Sequence, residues 1–363
     1  MKILIVQDHL RSGGTERQSV LLANAFASAG HATTLLTFRP GGPLASTVQA
    51  AVHRGTLQPF DLGLDWFAPG IFRRAKQLQP DTILCMGRMA NCYAGGLQRY
   101  LPRTSVIATM RTGKNLPALF RRSLLLVQHV VANSREARDA LATRYAVPAE
   151  KISVIHNSLV FSPENPSTAA PDFRKQFGAG ATTTVLLCVA MFRPEKNQRE
   201  LIEIVAGLSS TADWQLWLAG DGPARAECER LVAEKNLGAR VKFLGFQRDP
   251  SALYGAADIA VHASWSEALS NFLIEAQACG LPAVAYEAQG IAECFMPDRT
   301  GWTIPRDNRA TFRDALTRLM KLSADERRGI SAEARRFARE TFDPQRQVAA
   351  YLDLFQKLAA FPQ

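Results

Sequence analysis

Residues 2–38, KILIVQDHLRSGGTERQSVLLANAFASAGHATTLLTF, contain one complete strand-loop-helix-strand unit. The apolar run at 2–6 predicts a strand, and the loop behind it carries Gly13 and Gly14. An amphipathic stretch at 16–28 predicts a helix stopped by Gly30, and residues 32–38 form a second strand. The same order runs on through strands at 81–86, 105–110 and 129–132, which predicts a parallel sheet covered by helices. Residues 161–171, FSPENPSTAAP, have no apolar period and read as a linker. The alternation then resumes with strands at 184–190, 214–219, 241–244, 258–262 and 283–286, and a helix over 344–360 closes the chain. The expected architecture is α/β, with two doubly wound domains in series over 1–165 and 166–343 and a final segment at 344–363.

A length of 363 residues suits two domains, and a chain 47% hydrophobic and 21% charged has the profile of an ordinary globular protein. The opening apolar run is too short for a signal-peptide core, and no run approaches the roughly 18 residues of a membrane span. Leu124-Leu125-Leu126-Val127 ends at Gln128-His129 and reads as a buried helix or strand. Cys85, Cys92, Cys188, Cys228, Cys279 and Cys294 are scattered without paired spacing or nearby histidines. That excludes a disulfide framework or zinc site at this level and gives free thiols and a cytoplasmic location as the expectation. The net charge of +10 lies wholly in residues 1–165, which hold 19 Lys and Arg against 9 Asp and Glu; the remainder is neutral. Either that half meets something acidic, such as a membrane surface, a lipid phosphate or a nucleic acid, or it is a basic solvated face.

Ligands in open α/β sheets bind beyond the carboxyl ends of the strands, where helix N-termini present free N–H groups. Four loops lie there. Ser12-Gly13-Gly14-Thr15-Glu16 permits close approach of an anion but lacks the spacing of a dinucleotide fingerprint, so a plain turn remains open. Met191-Phe192-Arg193-Pro194-Glu195-Lys196-Asn197 sets two cations at a strand end, suited to a diphosphate or to a surface turn. Gly220-Asp221-Gly222-Pro223 reads first as a connector. The fourth, HASWSEALSNFLIEAQACGLP at 262–282, carries Glu267 in a loop and Glu275 on a short helix capped by Ser270 or Asn271 and stopped by Gly280 and Pro282. On a continuous helix the two carboxylates would be about 12 Å apart in rise, too far for the roughly 5–5.5 Å of a retaining hydrolase pair. With Glu275 two turns up the helix, the pair instead flanks whatever sits on its N-terminus. One would accept from a sugar and the other from a ribose, while the N–H groups of Leu269, Ser270 and Asn271 hold phosphates.

These residues resemble the retaining GT-B glycosyltransferases of family 4, the group 1 glycosyltransferases, over nearly the whole chain. The most specific element is the glutamate pair Glu267 and Glu275 with the trailing Ala-Cys-Gly-Leu-Pro. Val131-Ala132-Asn133-Ser134 and Ile155-His156-Asn157-Ser158 are similar to the family's segments before its interdomain crossover, and Asp298-Arg299-Thr300-Gly301-Trp302 to its segment after the last core strand. The resemblance implies two Rossmann-like domains with an interdomain cleft, the first binding acceptor and the second a nucleotide sugar, and a last helix returning to the first. It implies that Glu275 binds ribose hydroxyls and that Glu267 lies beside the donor sugar. Arg193 and Lys196 would hold the diphosphate with help from Gly13 and Gly14, and the backbone near Phe243 and Phe246 would face the base. It also implies that no metal and no bound cofactor are needed. Two departures stand out: Met191 occupies the place where many relatives have the phosphate arginine, and Arg111 stands where many have a histidine.

The expected activity is transfer of a hexose-type sugar, with retention, from a nucleotide diphosphate to a hydroxyl of a lipid-linked or polysaccharide acceptor in cell-surface glycan synthesis. Arg193, Lys196 and Glu267 are the catalytic candidates, and His9, Arg111 and Lys114 the acceptor contacts. UDP is the favoured nucleotide and GDP the other left open. Residues 66–76, mixing apolar and basic side chains, are read either as a peripheral contact with an anionic membrane or as a helix packed on the sheet by Ile71 and Phe72. No nucleic-acid motif accompanies the basic half. The other reading is a catalytically inactive relative that binds a nucleotide or a partner.

Overall fold

The computed structural model describes residues 1–159, 170–247 and 249–360. It contains two compact units, Met1–Val160 with Pro344–Gln363, and Phe161–Asp343. Most of the expected linker lies outside the described residues, and the helix Ala170–Gln176 begins at its end.

The first unit holds seven strands: β1 (Lys2–Gln7), β2 (Ala32–Thr37), β3 (His53–Thr56), β4 (Thr82–Cys85), β5 (Ser105–Met110), β6 (His129–Ala132) and β7 (Ile152–Val154). They lie in the order β3-β2-β1-β4-β5-β6-β7, all pairs parallel. The second holds β8 (Thr184–Val189), β9 (Trp214–Ala219), β10 (Val241–Gly245), β11 (Ile259–His262), β12 (Ala283–Tyr286) and β13 (Gly301–Ile304). Their order is β10-β9-β8-β11-β12-β13, again parallel throughout. Three strands were not expected: β3, β7 and β13. Each is the edge of its sheet, and β3 and β7 contain no fully buried residue, so neither carries the apolar run that marks a central parallel strand.

Strand alternation divides the first unit's core between two faces. Leu4, Val6, Ile83 and Cys85 face one cluster, which includes Ile71, Ala75, Leu97 and Phe120 of the helices Ile71–Leu78, Ala90–Tyr100 and Ala118–Leu126. Ile3, Ile5, Leu84 and Ile107 face the other, with Phe26 and with Tyr351, Leu354 and Phe355 of the last helix, Pro344–Ala360. Phe26 meets Tyr351 and Phe355 edge-on at 6.3 and 5.6 Å.

That last helix is also tied by buried polar groups. Gln347 Nε2 donates to Gln18 Oε1 (2.9 Å) and to the His156 carbonyl (2.8 Å), Ser158 Oγ donates to Gln347 Oε1 (2.8 Å), and Gln18 Nε2 donates to the Ser158 carbonyl (2.7 Å). The motif at 155–158 is thereby a seat for the helix. Ser134 of the other quoted motif caps the helix Arg135–Tyr145 by accepting from Ala137 N. The Leu124–Val127 run belongs mainly to the helix Ala118–Leu126. Among the described residues no helix is long and apolar enough to cross a membrane.

Phe355 is fully buried against Phe26. Phe355→Ala is expected to cost about 3–5 kcal/mol, read as a lowered denaturant midpoint for the first unit's transition.

Candidate functional site

In each sheet the strand order reverses beside the first strand, between β1 and β4 and between β8 and β11. Loops leaving such a pair diverge and open a crevice at the carboxyl end of the sheet. The second unit's candidates gather at its reversal. The loop after β8 makes a short turn, Pro194–Lys196, and Asn197 takes a left-handed conformation at φ 53°. It is held to the loop after β11 because the Glu195 carbonyl accepts from Trp265 N (3.1 Å) and Ser264 Oγ (2.9 Å). Lys196 Nζ is thus brought onto Glu267 Oε1 in an ion pair, and His262 Nε2, at the end of β11, lies 2.9 Å from the same oxygen.

Glu267 is only 8% exposed. Burial pushes its pKa up, but the charge of Lys196 and the bond from His262 outweigh this and hold it at about 2. An ionised carboxylate only accepts hydrogen bonds, so His262 Nε2 carries the proton. His262 Nδ1 is buried without a hydrogen-bond partner, and the ring lies 5.8 Å from that of Phe272.

Ser270 caps the helix Asn271–Ala278 by accepting from Leu273 N, and Gly280 (φ +85°) ends it. The helix begins at Asn271, so Glu275 lies one turn in, where two had been expected. It is buried, and Tyr254 OH donates to its Oε2 at 2.6 Å. Of the N–H groups expected to face phosphate, that of Ser270 points to Cys294 Sγ at 3.4 Å. Gly290, upstream of that cysteine, passes so close to the Glu267 loop that a Cβ would sit 1.9 Å from the Ala268 carbonyl. Gly220 and Gly222 are more than a connector: a Cβ on either would strike the carbonyl of Ala190 (2.0 Å) or Phe192 (2.5 Å), so their lack of side chains lets this loop support the cation loop.

The half-buried Arg193 forms no ion pair among the described residues. Phe243 packs on Phe192, with the Arg225 guanidinium 5.9 Å from its ring centroid, whereas Phe246 is 51% exposed.

At the first unit's reversal, the helix Gly14–Ser28 starts two residues earlier than expected, which makes Gly13 its cap and Gly14 its first residue. Asp8, after β1, accepts from Met89 N (3.0 Å) and Ala90 N (2.7 Å), so it caps the helix that follows β4. Gly87 is required there, because a Cβ would lie 2.2 Å from Asp8 Oδ1. Burial pushes the Asp8 carboxyl up to about 6 against those two bonds. His9 is buried, and burial together with Arg39 and Arg11 lowers its pKa. Lys114 is exposed.

Arg111, expected at the acceptor, is otherwise engaged. Its guanidinium donates to Asn157 Oδ1 and, at 3.0 Å, to Tyr351 OH, which joins the end of β5 to the last helix. A cavity of about 270 Å³ at the carboxyl ends of β2 and β3 is lined by Leu10, Leu35, Thr37, Pro40, Arg54 and Thr56. Among the described residues no three His, Cys, Asp or Glu side chains converge as metal ligands do.

Sequence reasoning missed Asp8, His262, Tyr254 and Cys294. The signal for His262 was available, since an ionisable residue that ends a buried strand five places before Glu267 needs a partner.

The buried carboxylates of Glu267 and Asp8 give opposite pH dependences. Glu267, with its pKa lowered from 4.5, contributes stability that is complete above about pH 4.5 and is lost as pH falls toward 2. Asp8, raised from 3.8, contributes most below that value, and its contribution is lost as pH rises through about 6. Glu267→Gln is therefore expected to lower the melting temperature near neutral pH, with the difference from the unsubstituted chain shrinking as pH falls from 4.5 to 2.

Comparison with known proteins places both halves. Residues 12–159 match the family model "Glycosyltransferase Family 4" and residues 170–337 match "Glycosyl transferases group 1". The chain is 27% identical over 348 residues to the lipopolysaccharide core biosynthesis glycosyltransferase LpsD of Rhizobium meliloti, covering 95% of each. It is 26% identical over 182 residues to the N-acetyl-alpha-D-glucosaminyl L-malate synthase of Bacillus anthracis, a match of 50% of this chain and 48% of that one. In fold it is similar to Anabaena Alr3699/HepE in its complex with UDP, at a TM-score of 0.83 and 22% identity, over 99% of this chain and 100% of that one. The chain belongs to the GT-B-fold glycosyltransferases of family 4 and group 1.

Proposed function

We propose that the chain is a retaining hexosyltransferase that needs no metal and moves a sugar from a nucleotide diphosphate to a hydroxyl of a lipid-linked or polysaccharide acceptor in bacterial-type glycan synthesis. The observation that carries this reading is the meeting of Lys196, Glu267 and His262 at the reversal of the second sheet. The relatives' names support the glycan class, and the UDP complex of the Anabaena protein supports a uridine nucleotide as donor.

In this reading, departure of the diphosphate is the difficult step. Arg193, the ammonium of Lys196 and the start of the helix Asn271–Ala278 stabilise the charge that develops on the leaving phosphate, an effect worth about 10²–10³-fold for one donor. Glu267 lies beside the sugar, its rotamer fixed by His262. Glu275, fixed through Tyr254, receives the ribose hydroxyls. The departing phosphate takes the acceptor's proton on the face from which it leaves, so configuration is retained. Phe243 and Phe246 complete the donor contacts of the second unit. The acceptor is assigned to the carboxyl end of the first sheet, with His9, Lys114 and the cavity beside β3; Arg111 acts there through the backbone it ties down.

The first test is thermal-shift titration with UDP, GDP, ADP and CMP. One diphosphate, UDP in this reading, should raise the melting temperature, and Glu275→Ala should remove that shift. No response to any nucleotide favours an inactive relative. Lys196→Ala should lower kcat by about 10²–10³-fold and also lower the melting temperature, because buried Glu267 loses its cation. Turnover within twofold of the unsubstituted enzyme would refute the assignment of Lys196.

A further inference from the structure

The positive charge of the first unit is concentrated further than the half-chain count indicates. Residues 66–128 hold ten Lys and Arg against one acid, Asp81. That carboxylate accepts from Lys2 N, at the amino end of β1. On the helices Ile71–Leu78 and Ala90–Tyr100, the exposed Arg73, Lys76 and Arg99 form no ion pair among the described residues. Lys76 lies 5.8 Å from the ring centroid of Tyr100, itself 48% exposed.

The loop that leads into these helices has the opposite character. Within residues 60–67, Phe60, Leu62, Leu64, Trp66 and Phe67 are 64, 41, 37, 56 and 36% exposed, half of all the exposed large hydrophobic residues described. Its two acids are neutralised from the sheet side: Arg39 forks onto Asp61 and also meets Asp65, and Arg11 meets Asp65, with contacts of 2.7–2.8 Å. The backbone is fastened too. Buried Gln58 donates from Nε2 to the carbonyls of Leu64 (2.8 Å) and Phe67 (2.7 Å), and Tyr93 OH donates to the Trp66 carbonyl (2.7 Å). A loop so well satisfied has no need to display five apolar side chains, and such a display marks an interaction site.

We propose that residues 60–67 and the adjoining helices dock the first unit on a bilayer containing anionic lipid. Phe60, Leu62, Leu64 and Trp66 enter the boundary between headgroups and acyl chains, while Arg73 and Lys76 lie among the phosphates. Each cation near an anionic surface contributes about 1 kcal/mol, and Trp and Tyr settle at the headgroup level. A nucleic acid would use the cations but leaves the leucines without a role. The contact is independent of the sugar-transfer reading.

The test is flotation of the full chain with vesicles of phosphatidylcholine alone and of phosphatidylcholine with phosphatidylglycerol, at low and high salt, with tryptophan emission recorded in parallel. Trp66 is the one tryptophan before residue 214. Binding should require phosphatidylglycerol, fall with salt, and shift the emission to the blue. Trp66→Phe should abolish most of that shift and retain binding. Arg73→Glu with Lys76→Glu should weaken binding at least about tenfold, with the first unit's denaturant midpoint unchanged, which shows the fold intact. Equal binding to both vesicle types, no binding to either, or binding without a Trp66-dependent shift would overturn the proposal.

Discussion

Each sheet grows first to one side of its opening strand and then returns to add the rest on the other side. Two loops that leave one carboxyl edge in diverging directions must then be secured, because a crevice between them exposes backbone and invites collapse. Both units use a charged side chain for this. In the first, the Asp8 carboxylate reaches from the β1 loop to the N-terminus of the helix after β4. In the second, Lys196 reaches from the β8 loop to Glu267 after β11. The two fastenings differ in kind. Asp8 bonds to backbone N–H groups at the start of a helix, whereas Lys196 and Glu267 pair side chain to side chain.

That difference accounts for the electrostatics of the second unit. A buried carboxylate is costly alone, and Glu267 is kept ionised by a cation and an imidazole that share one of its oxygens. Glu275 accepts from the hydroxyl of Tyr254. The two carboxylates of this helix and its preceding loop are thus held by side chains from different elements. Glycine makes the closeness possible: at Gly220, Gly222 and Gly290 neighbouring loops approach to distances no side chain tolerates.

What the sequence disclosed, and what it hid, follows from burial. Central parallel strands are apolar on both faces, so β1, β4, β5, β8 and β9 announce themselves as runs. β3, reading HRGT, and β7, three residues long, pair on one edge only and carry no such mark. Glu267, Glu275 and the capping Ser270 were legible because an acid in an apolar run and a serine before one have few uses. Tyr254, the partner of Glu275, was not, since it meets that carboxylate only through the packing of separate elements. The partners of Arg111 were hidden for the same reason: Asn157 and Tyr351 lie 46 and 240 residues away.

The last helix completes the core of the unit that the chain began, with Tyr351 and Phe355 buried beneath the first strands. On the ribosome the two units therefore mature in inverted order. Residues 161–343 form a continuous segment that can close as soon as it emerges, whereas residues 1–160 must wait, one sheet face uncovered, until more than 340 residues have been made. The earlier part of the chain is thus the later to fold, and for that interval the apolar face that will receive Phe355 is a surface for chaperones.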